Sequence, residues 1–238
     1  MTQEQAGPRE IAFVAFEGLT PLDLVGPLQA FTVLELLNPQ YKAVVVAETL
    51  EPLGTDGPLK LVAGKTFEQV PSPYALMVPG GAAPAMKAMS NESILGYIRD
   101  AGSRAEIVTS TCTGALILAA AGVLDGRKAT THWAFSKQLE RMGVEYVPDR
   151  WVEDGKFISS AGIAAGLDMA LDVIGKLVGE ATARQVQLML EYDPQPPLGA
   201  IDWNQIDRNM LDPVVDGWIQ EGLAERPDLV GRLVTQAS

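Results

Sequence analysis

The single cysteine of this chain, Cys112, lies where a buried-strand pattern meets a helical pattern. Residues 105–114, AEIVTSTCTG, predict a strand, and the apolar run TGALILAAAG that follows predicts a short buried helix. A side chain in such a turn is strained and exposed, as in a nucleophile elbow, and Gly114 would let the helix approach closely. The N–H groups and the positive end of the helix favour an ionised thiol. The pattern therefore predicts that Cys112 is a reactive thiolate.

The alternative for Cys112 is an inert, buried apolar side chain, which is the common fate of a free cysteine. The neighbours Ser110, Thr111 and Thr113 are small and polar, and they are poor surroundings for a side chain that only fills a core. The position thus favours the reactive interpretation.

Asp23 is the second candidate, because it interrupts the apolar segment LDLVGP in the loop region that follows the first predicted strand. One interpretation is an ordinary helix N-cap. The other is a general acid: if Asp23 faces Cys112, burial would raise its pKa and let it hold a proton. The sequence alone leaves both open.

A diglycine, Gly80-Gly81, ends the strand YALMVPGG at 74–81. Glycine permits a backbone that directs N–H groups into a cleft, where they would stabilise developing negative charge. The other interpretation is a simple turn. Only proximity of the diglycine to Cys112 would distinguish the charge-stabilising role from a simple turn.

His132 is the only histidine, about twenty residues beyond Cys112. Nothing local brings the two together, so a structural role for His132 is favoured over a cysteine–histidine pair. One histidine and one cysteine also make a zinc site improbable, and we expect no metal or organic cofactor.

The elements that position these residues alternate between strands and helices. We expect strands at Ile11–Phe16, Tyr41–Glu48, Tyr74–Gly81 and Ala105–Gly114, a hairpin around Asp154-Gly155, and helices between and after them. This alternation predicts a doubly wound α/β fold, with a mostly parallel sheet sandwiched by helices. We expect residues 1–10 to be a disordered leader and residues 11–238 to form one domain.

Four of the predicted strands lead into unusual sequence, which contains Asp23, Gly80-Gly81, Cys112 and the segment Ser160-Ala161-Gly162-Ile163. Ligands of open α/β sheets bind beyond the carboxyl ends of the strands. If these four strands are adjacent and parallel, their loops line one crevice.

The composition restricts the partners. Eighteen basic and 30 acidic residues give a net charge of −12, which disfavours nucleic acids and anionic membranes. The longest apolar run, residues 115–123, is too short to span a bilayer. The N-terminus lacks a secretory pattern, and the single cysteine suits a reducing compartment, so we expect a cytoplasmic protein that acts on a small molecule.

The motifs named above resemble those of the ThiJ/PfpI superfamily, and most of all its isonitrile hydratases, over nearly all of residues 11–193. They are LDLVGP at 22–27, VPGG at 78–81, TSTCTGALILAAAGVLDGRKATTHW at 109–133, SSAGIAAGLDMAL at 159–171 and RQVQLMLEYDPQPP at 184–197. The last is more particular to the hydratases, and the others also resemble sensor domains of AraC-type regulators. Ala161 departs from the hydratase pattern, and the segment after Gly199 matches none.

The resemblance implies a flavodoxin-like fold, similar to class I glutamine amidotransferases, and a homodimer. It implies that Cys112 is the nucleophile, Asp23 the acid and base, and Thr113 a residue that orders the site. The backbone N–H of Ile163 would contact the thiolate or its adduct. With Gly80 and Gly81, taken from the diglycine argument above, Ile163 completes the expected substrate-binding residues. The expected reaction is hydration of an isocyanide to an N-substituted formamide through a Cys112 thioimidate.

Two alternatives remain open at this point. One is a ligand or redox sensor that does not catalyse a reaction, although the 38 acidic-rich residues after residue 200 do not suit the DNA-binding module of a regulator. The other is another cysteine-dependent hydratase or a glyoxalase-like enzyme.

Overall fold

A computed structural model describes residues 7–235 of the chain. Its strands are β1 (Arg9–Val14), β2 (Tyr41–Ala47), β3 (Leu53–Gly54), β4 (Lys60–Leu61), β5 (Lys65–Thr66), β6 (Ala75–Val78), β7 (Ile107–Thr111), β8 (Lys128–Ala129), β9 (Glu145–Tyr146), β10 (Trp151–Asp154) and β11 (Phe157–Ser160). Its α-helices are α1 (Pro21–Leu37), α2 (Ala83–Met86), α3 (Glu92–Arg104), α4 (Gly114–Ala120), α5 (Ser136–Arg141), α6 (Ala165–Val178), α7 (Glu180–Met189), α8 (Asp212–Gly222) and α9 (Pro227–Leu233). Short 3₁₀ helices span Phe67–Gln69, Lys87–Ser90, Trp133–Phe135 and Trp203–Gln205.

Seven of the strands form one sheet in the order β10-β11-β7-β6-β1-β2-β5. Every neighbouring pair is parallel except β10 and β11, which form the hairpin predicted at Asp154-Gly155. Strands β11, β7, β6 and β1 are adjacent and parallel, as the argument for one crevice required. Their carboxyl ends therefore meet at the same edge of the sheet.

Helices cover the sheet in two groups, which confirms the doubly wound α/β prediction. One group consists of α1, α6 and α7; in the other, α4 packs against α3 and α5. The interior positions of β1 and β6 are apolar and fully buried, as expected for strands covered on both faces. Helix α4, GALILAA, is buried almost throughout, because it lies against both the sheet and the neighbouring helices.

Several boundaries differ from the predicted ones. Strand β1 begins at Arg9, so the expected leader is wrong for its last two residues, and residues 1–6 lie outside the described residues. The sequence beyond Pro194 also predicts helices around Asn204–Met210 and Pro213–Glu221. The second is α8, but no α-helix forms over the first. Helix α8 is anchored by an ion pair between Lys137 and Asp212 and by stacking of Trp218 on Phe135. Tertiary contacts of this kind have no periodic signal in the sequence.

Candidate functional site

Cys112 occupies the sharp turn between β7 and α4 with a φ of +57°, a left-handed conformation that is rare for residues other than glycine. Its backbone N–H lies 3.1 Å from the carbonyl oxygen of Ser160 and 2.8 Å from that of Ala161. Its own carbonyl accepts a hydrogen bond of 2.9 Å from Thr131 Oγ1. The strained backbone is thus held by the end of β11 and by the segment after β8.

The turn fits because glycines stand where it meets the end of β6. A Cβ atom at Gly114 would lie 2.3 Å from the carbonyl oxygen of Val78, and one at Gly80 would lie 2.5 Å from the backbone nitrogen of Thr113. Neither distance is possible for a real side chain, so both positions require glycine. The predicted close approach at Gly114 is therefore present, and it is made to β6.

Asp23 is the third residue of α1 and only 2% exposed. Its Oδ2 accepts a hydrogen bond of 3.1 Å from the backbone N–H of Gly80, whereas its Oδ1 has no hydrogen-bond partner among residues 7–235. Burial raises the pKa of Asp23 to about 7, against the lowering effects of Gly80 and Cys112. The N-cap of α1 is Thr20, so the N-cap interpretation of Asp23 is wrong.

Cys112 is 6% exposed, and its thiol lies close enough to Asp23 for each group to shift the pKa of the other. Burial and the charge of Asp23 raise the pKa of Cys112 well above its usual value, although the backbone N–H and side chain of Thr113 lower it. The prediction of an ionised thiol is therefore wrong for the free protein. The N-terminus of α4 lowers the pKa of Cys112, as expected, but burial and the charge of Asp23 raise it by more. At neutral pH the proton resides on sulfur, next to a carboxyl group that is able to receive it.

Thr113 locks the diglycine against the start of α4. Its Oγ1 accepts a hydrogen bond from the N–H of Gly81 and donates one to the carbonyl of Gly81, each 2.8 Å long. With the Gly80 N–H bonded to Asp23, both glycine N–H groups are already engaged. The prediction that these groups face a substrate is not met in this structure, where they position Asp23 and Thr113 instead.

The loop after β11 borders a cavity of about 530 Å³. Ile163, 37% exposed, lines this cavity, and so does His132. The Nδ1 of His132 accepts a hydrogen bond of 3.3 Å from the backbone N–H of Ala134 at the start of a 3₁₀ helix. Burial lowers the pKa of His132, which keeps the ring neutral. This capping supports the structural role predicted for His132.

Sequence reasoning missed several residues around the site. Thr131 and Ala161 hold the backbone of Cys112, and Trp133, Tyr146 and Trp203 line the cavity. Thr131 lies inside the motif at 109–133, and Ala161 inside the motif at 159–171, but nothing in either motif indicates that these residues bond the backbone of Cys112. Trp203 lies in the segment after Gly199, which matched no pattern and gave no signal.

Two further properties concern the part of the chain that the structure describes. Within it, no group of three or more His, Cys, Asp or Glu side chains is arranged to hold a metal ion. No helix between residues 7 and 235 combines the length and the apolar character that crossing a membrane requires.

The fold and the site define a flavodoxin-like α/β protein with a cysteine in the turn between a strand and a helix, beside a buried carboxyl group. The chain belongs to the DJ-1/PfpI family, which matches residues 9–176.

Comparisons with individual proteins agree. The chain is 42% identical to an isonitrile hydratase of Pseudomonas putida over 188 residues, which are 79% of this chain and 80% of that protein. A crystal structure of a ThiJ/PfpI family protein from Pseudomonas syringae superposes with a TM-score of 0.80 at 35% identity, covering 96% of this chain and 91% of the other. A helix-turn-helix transcriptional regulator of Pseudomonas aeruginosa is 41% identical over 78 residues, 31% of this chain and 23% of the regulator.

Proposed function

We propose that this protein hydrates an isocyanide to an N-substituted formamide without a metal or organic cofactor. The observation that carries the proposal is the pairing of Cys112 with Asp23, a buried carboxyl group whose pKa of about 7 suits proton transfer at neutral pH. The similarity to the Pseudomonas putida isonitrile hydratase over four fifths of both chains supports the choice of substrate.

In the first step, Asp23 accepts the proton of Cys112 and delivers it to the terminal carbon of the isocyanide. A C–H bond forms as Sγ attacks the same carbon, and the product is a thioimidate, enzyme–S–CH=N–R. Asp23 returns to the carboxylate form. The unpartnered Oδ1 of Asp23 is the atom available for this transfer. Covalent attack divides one difficult hydration into two easier steps.

In the second step, the Asp23 carboxylate removes a proton from a water molecule, whose oxygen adds to the thioimidate carbon. The proton passes to nitrogen and gives enzyme–S–CH(OH)–NH–R. The C–S bond then breaks, the hydroxyl proton returns through Asp23 to sulfur, and the formamide leaves. One water is consumed, and both side chains regain their starting state.

The test is incubation of the purified protein with cyclohexyl isocyanide and quantification of the formamide by liquid chromatography and mass spectrometry. We expect turnover by the wild type and by Asp100→Asn, an exposed carboxylate on α3 that serves as a matched control. Cys112→Ala and Asp23→Asn should each lose turnover. Intact-mass measurement should detect the Cys112 adduct. Full activity in Cys112→Ala would end the proposal.

The alternative of a redox sensor is less well supported, because a buried thiol with a raised pKa is a slow target for peroxide. Rapid formation of sulfenic or sulfinic acid at Cys112, without hydratase activity, would favour the sensor. A panel of small carbonyl compounds tests the glyoxalase-like alternative.

We also propose that residues 11–238 form one domain of a cytoplasmic homodimer. Leu22 and Val25 are exposed on the first turns of α1, and Leu22 and Leu167 of α6 both border the space beside Gly26. Exposed apolar side chains grouped in this way are typical of an interaction surface. Light scattering after size-exclusion chromatography should give a dimer for the wild type and a monomer for Val25→Asp, and cell fractionation tests the location.

A further inference from the structure

The cavity beside the loop after β11 is lined by several aromatic side chains. We call it the aromatic pocket; its main lining residues are His132, Trp133, Tyr146, Ile163, Ile201 and Trp203. The rings of Trp133 and Trp203 lie 6.2 Å apart between centroids at an angle of 59°, and those of His132 and Trp133 lie 5.8 Å apart. These separations fall in the range at which aromatic rings attract one another. A volume of about 530 Å³ is ample for a benzene ring with a substituent.

The aromatic pocket adjoins the backbone of Cys112, although Cys112 itself does not line it. Ala161 and Thr131 are in its wall, and these two residues hold the N–H and the carbonyl of Cys112, respectively. The pocket therefore lies at the same edge of the sheet as the thiol. Carboxyl ends of parallel strands are where open α/β proteins bind ligands.

Other cavities fit a substrate less well. The space on the side of Asp23 that faces Phe13, Pro27 and Thr111 is too small for a substrate. A cavity of about 500 Å³ is formed by residues of α6 and α7, such as Lys176 and Arg184, and includes none from the loops around Cys112. The aromatic pocket, by contrast, has the volume, and it shares Thr131 and Ala161 with the backbone contacts of Cys112.

The charges at the aromatic pocket favour an uncharged ligand. Asp149, Arg150 and Arg208 also contribute to its lining, but Arg150 is paired with Asp168. The remaining charged lining residues, Asp149 and Arg208, have opposite charges. The ring of His132 is neutral.

We infer that the aromatic pocket binds the substituent of the isocyanide and that this substituent is a planar, uncharged aromatic ring, with Trp203 of the C-terminal segment as a specificity-determining wall. The inference rests on the proposed function and names its substrate class. It predicts a preference for aryl isocyanides over small alkyl isocyanides. The preference should depend on Trp203.

The test compares kcat/KM for phenyl isocyanide and methyl isocyanide. Removing one stacking wall in Trp203→Ala should lower kcat/KM for phenyl isocyanide about tenfold and leave that for methyl isocyanide within about twofold. Trp203→Phe should keep most of the preference. The matched control is Trp151→Ala, because Trp151 is 38% exposed, comparable to the 44% of Trp203, and lies on β10 outside the pocket. Equal losses for both substrates in Trp203→Ala, or no loss, would overturn the inference.

A binding measurement separates this inference from the proposed reaction. Calorimetric titration of Cys112→Ser protein with N-phenylformamide needs no turnover. We expect binding that Trp203→Ala weakens about tenfold and Trp151→Ala does not change. If the protein does not hydrate isocyanides but binds N-phenylformamide in a Trp203-dependent way, the proposed reaction is refuted and the aromatic pocket is retained. Hydration without such binding would refute the pocket alone.

Discussion

The burial of the charged Asp23 side chain has a measurable cost in stability. Replacing Asp23 with the uncharged Asn should therefore stabilise the protein above neutral pH. The pKa of Asp23 rises from an ordinary value of 3.8 to about 7 on folding, mainly because burial disfavours the charged form. Each pH unit in this interval corresponds to 1.36 kcal/mol, so the interval amounts to at most ~4 kcal/mol. A carboxyl group whose pKa is raised stabilises the fold when protonated. This contribution is present below about pH 4 and is lost as the pH rises through about 7. Asn in place of Asp23 retains an oxygen to accept the Gly80 N–H but carries no charge.

The expected result is that Asp23→Asn and the wild type have similar free energies of unfolding at pH 4. The variant should become more stable by up to ~4 kcal/mol at pH 8. Urea denaturation followed by circular dichroism, at intervals between pH 4 and pH 8, measures this difference. Asp100→Asn, on the exposed face of α3, should show no such pH-dependent gain. The reasoning is refuted if Asp23→Asn is no more stable than the wild type at pH 8.

Three other predictions concern the same site. The kcat/KM for isocyanide hydration should rise as the pH increases through about 7 and then level off, because Asp23 must be ionised to accept the thiol proton; a rate that falls over this range would contradict the mechanism. Gly80→Ala should destabilise the protein by at least ~1–3 kcal/mol in urea denaturation, since its Cβ would meet Thr113 at 2.5 Å, whereas Gly96→Ala on α3 should stabilise it by ~0.5–1 kcal/mol; equal effects would exclude the proposed clash. Thr113→Val should cost about 2–4 kcal/mol by leaving the N–H and the carbonyl of Gly81 unpaired, and a thermal melt unchanged from the wild type would count against this.

The sequence predicted the sheet and its crevice well because the signals there are local. Strands β1 and β6 contain the apolar runs at 11–14 and 75–78, which lead toward Asp23 and Gly80-Gly81, and α4 begins two residues after Cys112. The rule that parallel strands align their carboxyl ends then brought together segments that are far apart in the chain. The order of β11, β7, β6 and β1 confirms that step.

The electrostatics of the site were predicted less well, because they depend on burial that no local pattern reports. A helix N-terminus lowers the pKa of a neighbouring thiol, and this effect is readable at Cys112-Thr113. The opposing effects, burial of the thiol and the charge of Asp23, arise only when α1 and the turn meet. In the same way, the sequence does not show that the N–H groups of Gly80 and Gly81 donate hydrogen bonds to Asp23 and Thr113 in the folded protein.

The raised pKa of Cys112 is better suited to the proposed reaction than the thiolate expected from the sequence. An isocyanide carbon must gain both a proton and a nucleophile. If Cys112 and Asp23 were both ionised, the site would offer a nucleophile but no proton, and if both were protonated, no base would free the sulfur. Above about pH 7 the pair holds one proton on sulfur beside an ionised carboxylate, so the proton that leaves Sγ is the one that the substrate needs. The same burial that makes Asp23 costly to ionise thus couples the two halves of the first step.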